Sequence, residues 1–444
     1  MYRFEPHSHT MGSNIRLLDS INKPEDLIQR AIDIGLKGLA ITDHEFLGMI
    51  PRSFEYIESI QEKYPDFKLA AGDEIYLCPN RENGQKYFHF ILIAKNKIGW
   101  RALRELSSRA WLNSYYDRGM ERVVTTYDDL EEIMQKYPDS LIATSACLGG
   151  ELSVNTLNLC ECEKIGDTEG ATAAHNNIVN FLLFCKKIFK NDFYIECAPG
   201  CSKEQIIVNQ RLVSIAKAFD IKMVIGSDAH YLSKEDRYVH ESYLNSKGGE
   251  REVASFYEYA YLQTEEEIIK HLEESIPNEI EKMFNNSMEI YDKIERYSIW
   301  HNQTIPKVEV KDYPKFEDRS LNKYPILHSM KISNDKYERY WINECLIKLK
   351  ELEKDNDTYL SRLEEEANTK KVIGEKLGTN IFAYPITLQH YIDMFWESGS
   401  IVGAGRGSSC SGLNHYLLGV TQLDPIEWEL PWYRYLNTER LELP

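Results

Sequence analysis

Short apolar runs alternate with amphipathic stretches over the first part of the chain, up to about residue 275. Brief apolar runs are typical of buried strands, and stretches with an apolar residue every three or four positions are typical of helices. The strands are predicted at 38–41, 68–77, 88–94, 140–147, 192–197 and 222–230. The helices are predicted at 24–35, 54–64, 100–111, 127–137, 173–190 and 203–219. This alternation predicts an α/β fold with a parallel sheet, and the number of units favours a closed barrel.

Several polar residues lie at the ends of these predicted strands, where barrels gather their functional groups. Those that follow or end a strand are His44, Cys147, Asp228 and His230. Glu74 and His89 lie within or at the start of their strands. Histidines with only structural roles would have no reason to prefer strand ends, so the pattern indicates a site.

His7-Ser8-His9 lies close to the N-terminus. On an extended segment the two imidazoles point the same way, because side chains on a strand alternate with period two. Imidazole is the commonest protein ligand for divalent transition metals. Taken alone, the pair is weak evidence for a metal site, because two surface histidines are the more common explanation of such a pair.

The candidate metal ligands are five imidazoles, three carboxylates and one thiol. They are His7, His9, Asp19, His44, Glu74, His89, Cys147, Asp228 and His230. One tetrahedral ion needs only four ligands, so the set suits two or three ions held close together. Two alternatives stay open at this point: Asp19 as a solvated loop acid and Cys147 as a small buried hydrophobe.

The remaining cysteines and histidines have weaker support as ligands. Cys160-Glu161-Cys162 has the form of half a zinc site, but no matching second pair follows. Five further histidines lack a supporting context and are expected at the surface: His175, His240, His271, His301 and His328.

Composition is that of a globular protein, with 43% hydrophobic and 27% charged residues. No apolar run of about 18 residues is present, and the N-terminus shows no secretory pattern. The nine cysteines show no disulfide pattern, so a reducing, cytoplasmic location without membrane contact is expected. The net charge of −18 argues against a freestanding nucleic-acid binder and is compatible with a chain that collects cations.

The second half of the chain lacks the alternation of strand and helix patterns. Residues 261–294 are amphipathic and helical, 300–328 form an irregular connector, and 331–377 are a charge-rich helical stretch with a solvated face. A glycine-rich segment follows at 401–413. Its glycines would let the backbone approach an anion, and its side-chain donors suit phosphate oxygens. The candidate phosphate ligands are Gly405, Arg406, Gly407, Ser408 and Ser409.

The histidine and carboxylate segments together resemble the polymerase and histidinol phosphatase (PHP) domain. The segments are His7-Ser-His9, Leu18-Asp19, Ile41-Thr-Asp-His44, Gly72-Asp-Glu74, His89 to Asn96, Ser145 to Leu152 and Ser227 to Leu232. They are most similar to the version found in bacterial DNA polymerase III alpha subunits. The resemblance implies a distorted parallel β/α barrel over residues 1–275 that holds up to three ions, with zinc or manganese as the expected metals. It also implies a possible 3′–5′ exonuclease.

The region around the glycine-rich segment resembles the start of the polymerase palm in the same family. The matching segments are Phe382 to Thr387, Gly403 to Ser409, Tyr416 to Thr421, Leu423-Asp-Pro425 and Arg434 to Arg440. The resemblance implies that the Gly-Arg-Gly-Ser segment binds a nucleotide triphosphate. The resulting domain prediction is a barrel at 1–275, a helical connector at 276–330 and a mixed α+β partial palm at 331–444.

In this family the Asp-x-Asp pair that holds the catalytic magnesium ions follows the final proline, and no such pair lies within residues 380–444. The chain alone is therefore not expected to polymerise DNA. A C-terminal polymerase fragment or downstream sequence is expected to complete the palm, with magnesium, DNA and deoxynucleotides as the ligands of the completed enzyme. The alternatives are a freestanding metal-dependent phosphoesterase and a scaffold whose metals only stabilise the barrel.

Overall fold

A computed structural model describes residues 2–15, 18–117, 119–246, 255–301 and 303–439. The chain forms two compact units, Met1–Trp300 and His301–Pro444. Each unit is described by itself.

The first unit is built on an eight-stranded sheet and a two-stranded hairpin. In chain order the strands are β1 (Phe4–Glu5), β2 (Gly38–Ile41), β3 (Lys68–Cys78), β4 (Phe88–Ala94), β5 (Tyr115–Asp117), β6 (Met120–Arg122), β7 (Thr125–Thr126), β8 (Leu141–Thr144), β9 (Phe193–Cys197) and β10 (Met223–Ile225). The large sheet runs β1-β2-β3-β4-β8-β9-β10, with β7 also beside β3, and β5 pairs with β6. This architecture confirms the predicted α/β barrel class.

The sheet nearly closes on itself through the residues that follow its two edge strands. Ser8 forms a parallel bridge with Ala229, and the amide of His9 donates to the carbonyl of Ala229 at 3.0 Å. The backbone after β1 therefore lies beside the backbone after β10, and the segments that carry the candidate ligands meet there.

One strand departs from the predicted parallel arrangement. β4 runs antiparallel to both β3 and β8. The connection from β3 to β4 is only residues 79–87, whereas a crossover between parallel strands needs about a dozen residues or more. A short connection of this kind can only form an antiparallel pair.

The described residues of this unit form ten α-helices. They are α1 (Pro24–Asp33), α2 (Ile50–Ile60), α3 (Lys97–Leu112), α4 (Tyr127–Lys136), α5 (Glu151–Ile165), α6 (Thr168–Phe189), α7 (Lys203–Phe219), α8 (Arg237–Leu244), α9 (Glu265–Leu272) and α10 (Ile280–Lys293). Residues that favour the start of a helix occur where two of these helices begin. Helix α1 has Pro24 in its first turn, and Thr126 and Asp129 form a capping box at α4.

Helix α10 joins the first unit through contacts with β1 and β10. The amide of Phe4 donates to Ser287 Oγ at 3.2 Å, and Asn286 Nδ2 donates to the carbonyl of Met223 at 2.7 Å. The structure therefore groups residues 276–300 with the barrel. The three-part division with boundaries at 275 and 330 stays a prediction.

The second unit is helical. Its helices are α11 (Pro325–Lys331), α12 (Lys336–Glu351), α13 (Asp357–Leu377), α14 (Ala383–Glu397) and α15 (Leu413–Leu417), and no strand occurs in its described residues, 301 and 303–439. This corrects the expectation of a mixed α+β palm in this stretch. Apolar residues in α12 recur every three or four positions and are buried, as in Trp341, Cys345 and Leu349. That spacing suits a helix and not a strand.

Within the described ranges, none of these helices combines the length and apolar character needed to cross a membrane.

Candidate metal centre

The structure brings all nine predicted ligands together at the mouth of the barrel. His7 and His9 follow β1, His44 follows β2, Glu74 lies on β3 and His89 on β4. Asp19 comes from the loop before α1. Cys147 follows β8, and Asp228 and His230 follow β10. Six of the nine are buried, and His44, His89 and Cys147 are partly exposed at the edge of the centre.

Glu74 lies at the middle of this centre. Its Oε1 is 3.0 Å from His89 Nδ1 and 3.4 Å from His7 Nε2. Its Oε2 is 2.7 Å from His44 Nδ1 and 3.3 Å from His9 Nε2. The residue is fully buried, and neither oxygen makes a hydrogen bond of good geometry to any described residue. A buried carboxylate without such a bond is costly unless a cation compensates it.

Three imidazoles are held in the tautomer that leaves Nε2 free to coordinate. Nδ1 of His7 donates to Glu196 Oε1 at 2.6 Å, and Nδ1 of His230 donates to the carbonyl of Asp228 at 2.7 Å. Nδ1 of His9 donates to Ser13 Oγ at 2.9 Å, because that hydroxyl donates its own proton to Asp43. Partners of this kind orient metal-binding imidazoles in known sites.

The carboxylates of Asp19 and Asp228 face the same imidazoles. Asp19 Oδ2 lies 3.0 Å from His230 Nε2 and 3.1 Å from His44 Nε2. Asp228 Oδ1 lies 3.2 Å from His7 Nε2 and 3.1 Å from His9 Nε2. At the edge, Cys147 Sγ is 3.5 Å from His89 Nδ1. The structure describes the loop that carries Asp19 except for residues 16 and 17.

Three subsets place one ligand atom from each member within 4.8 Å of the others. They are His9 with Asp19, His44 and His230; His7 with His9 and Glu74; and His44 with Glu74 and His89. Glu74 belongs to two of these subsets, and its two carboxylate oxygens face different imidazoles, so the arrangement would suit more than one ion.

The carboxylates and imidazoles of the centre shift one another's pKa values. Burial raises the pKa of Glu74, but the imidazoles of His89, His44 and His7 outweigh burial and hold that pKa well below its usual value. Burial lowers the pKa of His230, yet the carboxylates of Asp19 and Asp228 raise it to about 9. Without an ion, protonated imidazoles therefore neutralise the buried carboxylates. Divalent ions would replace those protons.

Sequence reasoning missed the residues behind the ligands. Glu196 on β9 is buried and also accepts the hydroxyl proton of Thr144 at 2.5 Å. Asp43 accepts from the amide and hydroxyl of Thr10, both at 2.6 Å. An acid inside a buried strand is a signal that could have identified Glu196, because buried carboxylates need partners.

The surface prediction for His240 was wrong. His240 is fully buried on α8, and its Nε2 donates to the carbonyl of Asp19 at 2.6 Å. Burial lowers the pKa of its imidazole to about 4, so it stays neutral. Tyr257, which was not predicted, donates to Asp19 Oδ1 at 2.9 Å. Cys160 and Cys162 lie on α5 and join none of the metal-compatible groups in the described ranges.

In the second unit, the predicted phosphate ligands lie in one exposed loop. Gly405 and Gly407 have φ of +143° and +63°, which favour glycine, and residues 407–411 form a 3₁₀ turn. Arg406 and Ser408 are exposed, and Ser409 Oγ donates to the carbonyl of Arg406 at 2.6 Å. The hydroxyl proton of Ser409 is therefore used inside the loop, while Arg406 remains open to solvent.

Two family models match the chain. Residues 5–199 match the PHP domain, and residues 331–444 match the model described as bacterial DNA polymerase III alpha NTPase domain.

Similar proteins carry polymerase names. The chain is 37% identical, over 99% of its length and 36% of theirs, to "Probable DNA polymerase YorL" of Bacillus subtilis (strain 168) and to "DNA-directed DNA polymerase" of Bacillus phage SPbeta. It is 28% identical to the DNA polymerase III subunit alpha of Borreliella burgdorferi, over 99% of its own length and 34% of that protein. The chain thus spans about a third of the length of the curated relatives it matches.

Proposed function

We propose that the first unit of this chain is a metal-dependent phosphodiesterase. The chain carries a PHP domain and a DNA polymerase III alpha domain, and it is related to DNA polymerase III alpha subunits over nearly its whole length. The nine residues of the centre would hold two or three divalent ions, zinc or manganese. The buried Glu74 carboxylate, set among four imidazoles without a hydrogen bond of its own, carries this proposal.

The residues present fit such ions in donor type and in orientation. Imidazole, carboxylate and thiol are the donors that zinc takes, and imidazole with carboxylate suits manganese. Divalent ions held there would polarise a phosphoryl group and make a water nucleophilic. Around them, Glu196 and Ser13 would fix the imidazoles of His7 and His9, and Tyr257 would orient Asp19. The reaction would be removal of nucleotides from a 3′ end.

A second candidate is a scaffold whose ions only stabilise the barrel. The deep burial of His7, His9 and Glu74 favours it, because a buried ion can hold strands together without meeting a substrate. A freestanding phosphoesterase is less well supported, because residues 331–444 match a polymerase domain that a small phosphatase would not need.

We expect the protein loaded with Mn²⁺ or Zn²⁺ to shorten a 5′-labelled single strand from its 3′ end. A chelator should stop the reaction, and the double variant His7→Ala, Asp228→Asn should lack it because both changes remove donors to the same ions. Gel electrophoresis of the labelled strand measures the shortening. If fully loaded protein cleaves neither DNA nor small phosphoesters, the scaffold candidate is the better account.

For the second unit we propose a contribution to DNA polymerisation that needs carboxylates from elsewhere. Two acids that follow the glycine-rich loop are already engaged: Asp424 accepts from Lys354 at 2.5 Å and from Tyr359 at 2.7 Å, and Glu427 accepts from Lys354 at 2.6 Å. Two-metal nucleotidyl transfer needs paired carboxylates that are free for the ions. A further polypeptide segment with such a pair, continuous or separate, would complete the site for DNA and deoxynucleotides.

Nucleotide binding should depend on Arg406. Its exposed guanidinium can form forked bonds to phosphate, whereas the loop lacks the magnesium carboxylates that would add affinity. We expect weak binding of a deoxynucleoside triphosphate in calorimetric titration and a further loss of about tenfold or more in Arg406→Ala, since a charged hydrogen bond is worth roughly 1.5–3 kcal/mol. Arg319→Ala, a change at an exposed arginine of the same unit outside the segments that resemble the palm, serves as the control. Tight binding that ignores Arg406→Ala would place the nucleotide elsewhere.

A further inference from the structure

A cavity of about 210 Å³ opens beside the metal centre. Three candidate ligands form one wall: Asp19, His44 and His89. The rest of the lining consists of residues that have no part in the ligand set, and these include Tyr76, Tyr87, Met120 and Arg122. A substrate whose reacting phosphate reached the metals would contact these residues as well.

Arg122 is the one arginine or lysine in the described lining of this cavity. It ends β6 in the small hairpin, and its Nη1 donates to the hydroxyl of Tyr87 at 3.0 Å. Its guanidinium also lies 5.7 Å from the centre of the Tyr87 ring. This support from a neighbouring side chain fixes one end of the guanidinium, and its remaining donors are suited to a phosphate oxygen.

Aromatic rings continue from Arg122 to the metal ligands. Tyr87 and Tyr76 have ring centres 4.9 Å apart, and Tyr76 stacks on His44 at 5.4 Å with an interplanar angle of 22°. Tyr76 is also 5.2 Å from His89. Both tyrosines are partly exposed and line the cavity, so a base that entered it would contact their side chains. Aromatic rings that line a channel bind single-stranded nucleic acid by stacking its bases.

We propose that Tyr76, Tyr87 and Arg122 form a nucleotide subsite, in which Arg122 holds the phosphate next to the one that reacts. This inference rests on the proposed phosphodiesterase. The ions would neutralise the phosphate that reacts, so the separate cation of Arg122 serves a neighbouring phosphate, which a monoester lacks. The tyrosines hold the base between the two phosphates. In a chain with net charge −18, a cation at this position is the local attraction that a polyanion needs.

Binding, measured apart from hydrolysis, tests the subsite. The ligand is a short fluorescein-labelled phosphorothioate oligothymidylate, which resists cleavage, and the readout is anisotropy with Mn²⁺-loaded protein over a range of salt concentrations. We expect Arg122→Ala to weaken binding by about fivefold or more and to reduce the slope of log K against log salt by about 0.7, the value for one phosphate contact on a single strand. Tyr76→Ala should weaken binding by about fivefold or more through lost stacking.

Two further variants separate the subsite from general effects. Arg122→Lys keeps the charge but loses the fork, so it should retain the salt slope while binding more weakly. Arg101→Ala removes an exposed arginine of α3 that does not line the cavity, and it should bind like the parent protein. Thymidine 5′-monophosphate, with a single phosphate, should lose less affinity than the oligonucleotide in Arg122→Ala.

The outcomes also separate this inference from the proposed function. Oligonucleotide binding that depends on Arg122 without any cleavage would overturn the phosphodiesterase and leave the subsite standing. Cleavage together with unchanged oligonucleotide binding in both Arg122→Ala and Tyr76→Ala would overturn the subsite alone. If Arg122→Ala loses affinity equally for the monophosphate and the oligonucleotide, Arg122 contacts the reacting phosphate. That result would contradict its role at a neighbouring phosphate.

Discussion

Glu74→Gln is expected to remove most of the bound metal and to lower phosphodiester cleavage about 100-fold or more. Changes to residues that merely support metal ligands cost about 10–100-fold, and Glu74 is proposed as a ligand itself. Glutamine keeps the size of the side chain but removes the negative charge and one of the two oxygens that face His89 and His44. Elemental analysis after dialysis measures the metal, and cleavage of a labelled strand measures the activity.

The matched control is Glu62→Gln, an exposed carboxylate just after α2 that should leave both quantities unchanged. Circular dichroism of both variants checks the fold, because Glu74 also balances protonated imidazoles when no ion is bound. Metal content equal to that of the parent protein in a folded Glu74→Gln variant would show that the ions, if present, use other residues.

The position of the site could be predicted because it depends on strand ends. His44, Asp228 and His230 follow short apolar runs, and a β/α barrel brings such positions to one mouth whatever the details of its helices. The identity of the residues behind the ligands could not be predicted in the same way. His240 reaches Asp19 from helix α8, and nothing in the local pattern around it indicates that contact.

The direction and the edges of the sheet were harder to infer. Periodicity shows that β4 is a buried strand, but only the short 79–87 connection shows that it must be antiparallel. Strand β1 has two residues, too few to give a period, although it opens the barrel. Helix α5 was not predicted, because its buried face includes polar residues such as Ser153, Asn155 and Thr156. A face of that kind gives no apolar stripe.

The second unit should depend on a single buried carboxylate, Glu366 of α13. Its Oε1 accepts from the amide of Leu413 at 2.7 Å and from Arg362 Nε at 3.1 Å. Its Oε2 accepts from the amide of Asn414 at 3.0 Å and from Asn414 Nδ2 at 2.6 Å. Arg362 also donates to the carbonyls of Ser411 and Leu430. This pair therefore fixes the segment that follows the glycine-rich loop.

Glu366→Ala is expected to lower the free energy of unfolding of the second unit by about 3–5 kcal/mol, the cost of removing one partner from a buried ionic pair. The change removes the acceptor of the backbone amides of Leu413 and Asn414 and of Nε of Arg362. Urea unfolding of the full chain, followed by hydrogen exchange, measures the loss and should show faster exchange at Leu413 and Asn414. Glu365→Ala changes the exposed neighbour on the same helix and should have little effect.

The same change should weaken nucleotide binding, because the loop with Arg406 is continuous with the 407–411 turn that Arg362 and Glu366 hold through Ser411, Leu413 and Asn414. Loss of binding in Glu366→Ala, with Arg406 itself intact, would show that the loop must be held in place before it can receive a phosphate. Unchanged exchange at Leu413 and Asn414 would contradict the anchoring role. Faster exchange with unchanged nucleotide affinity would limit that role to stability.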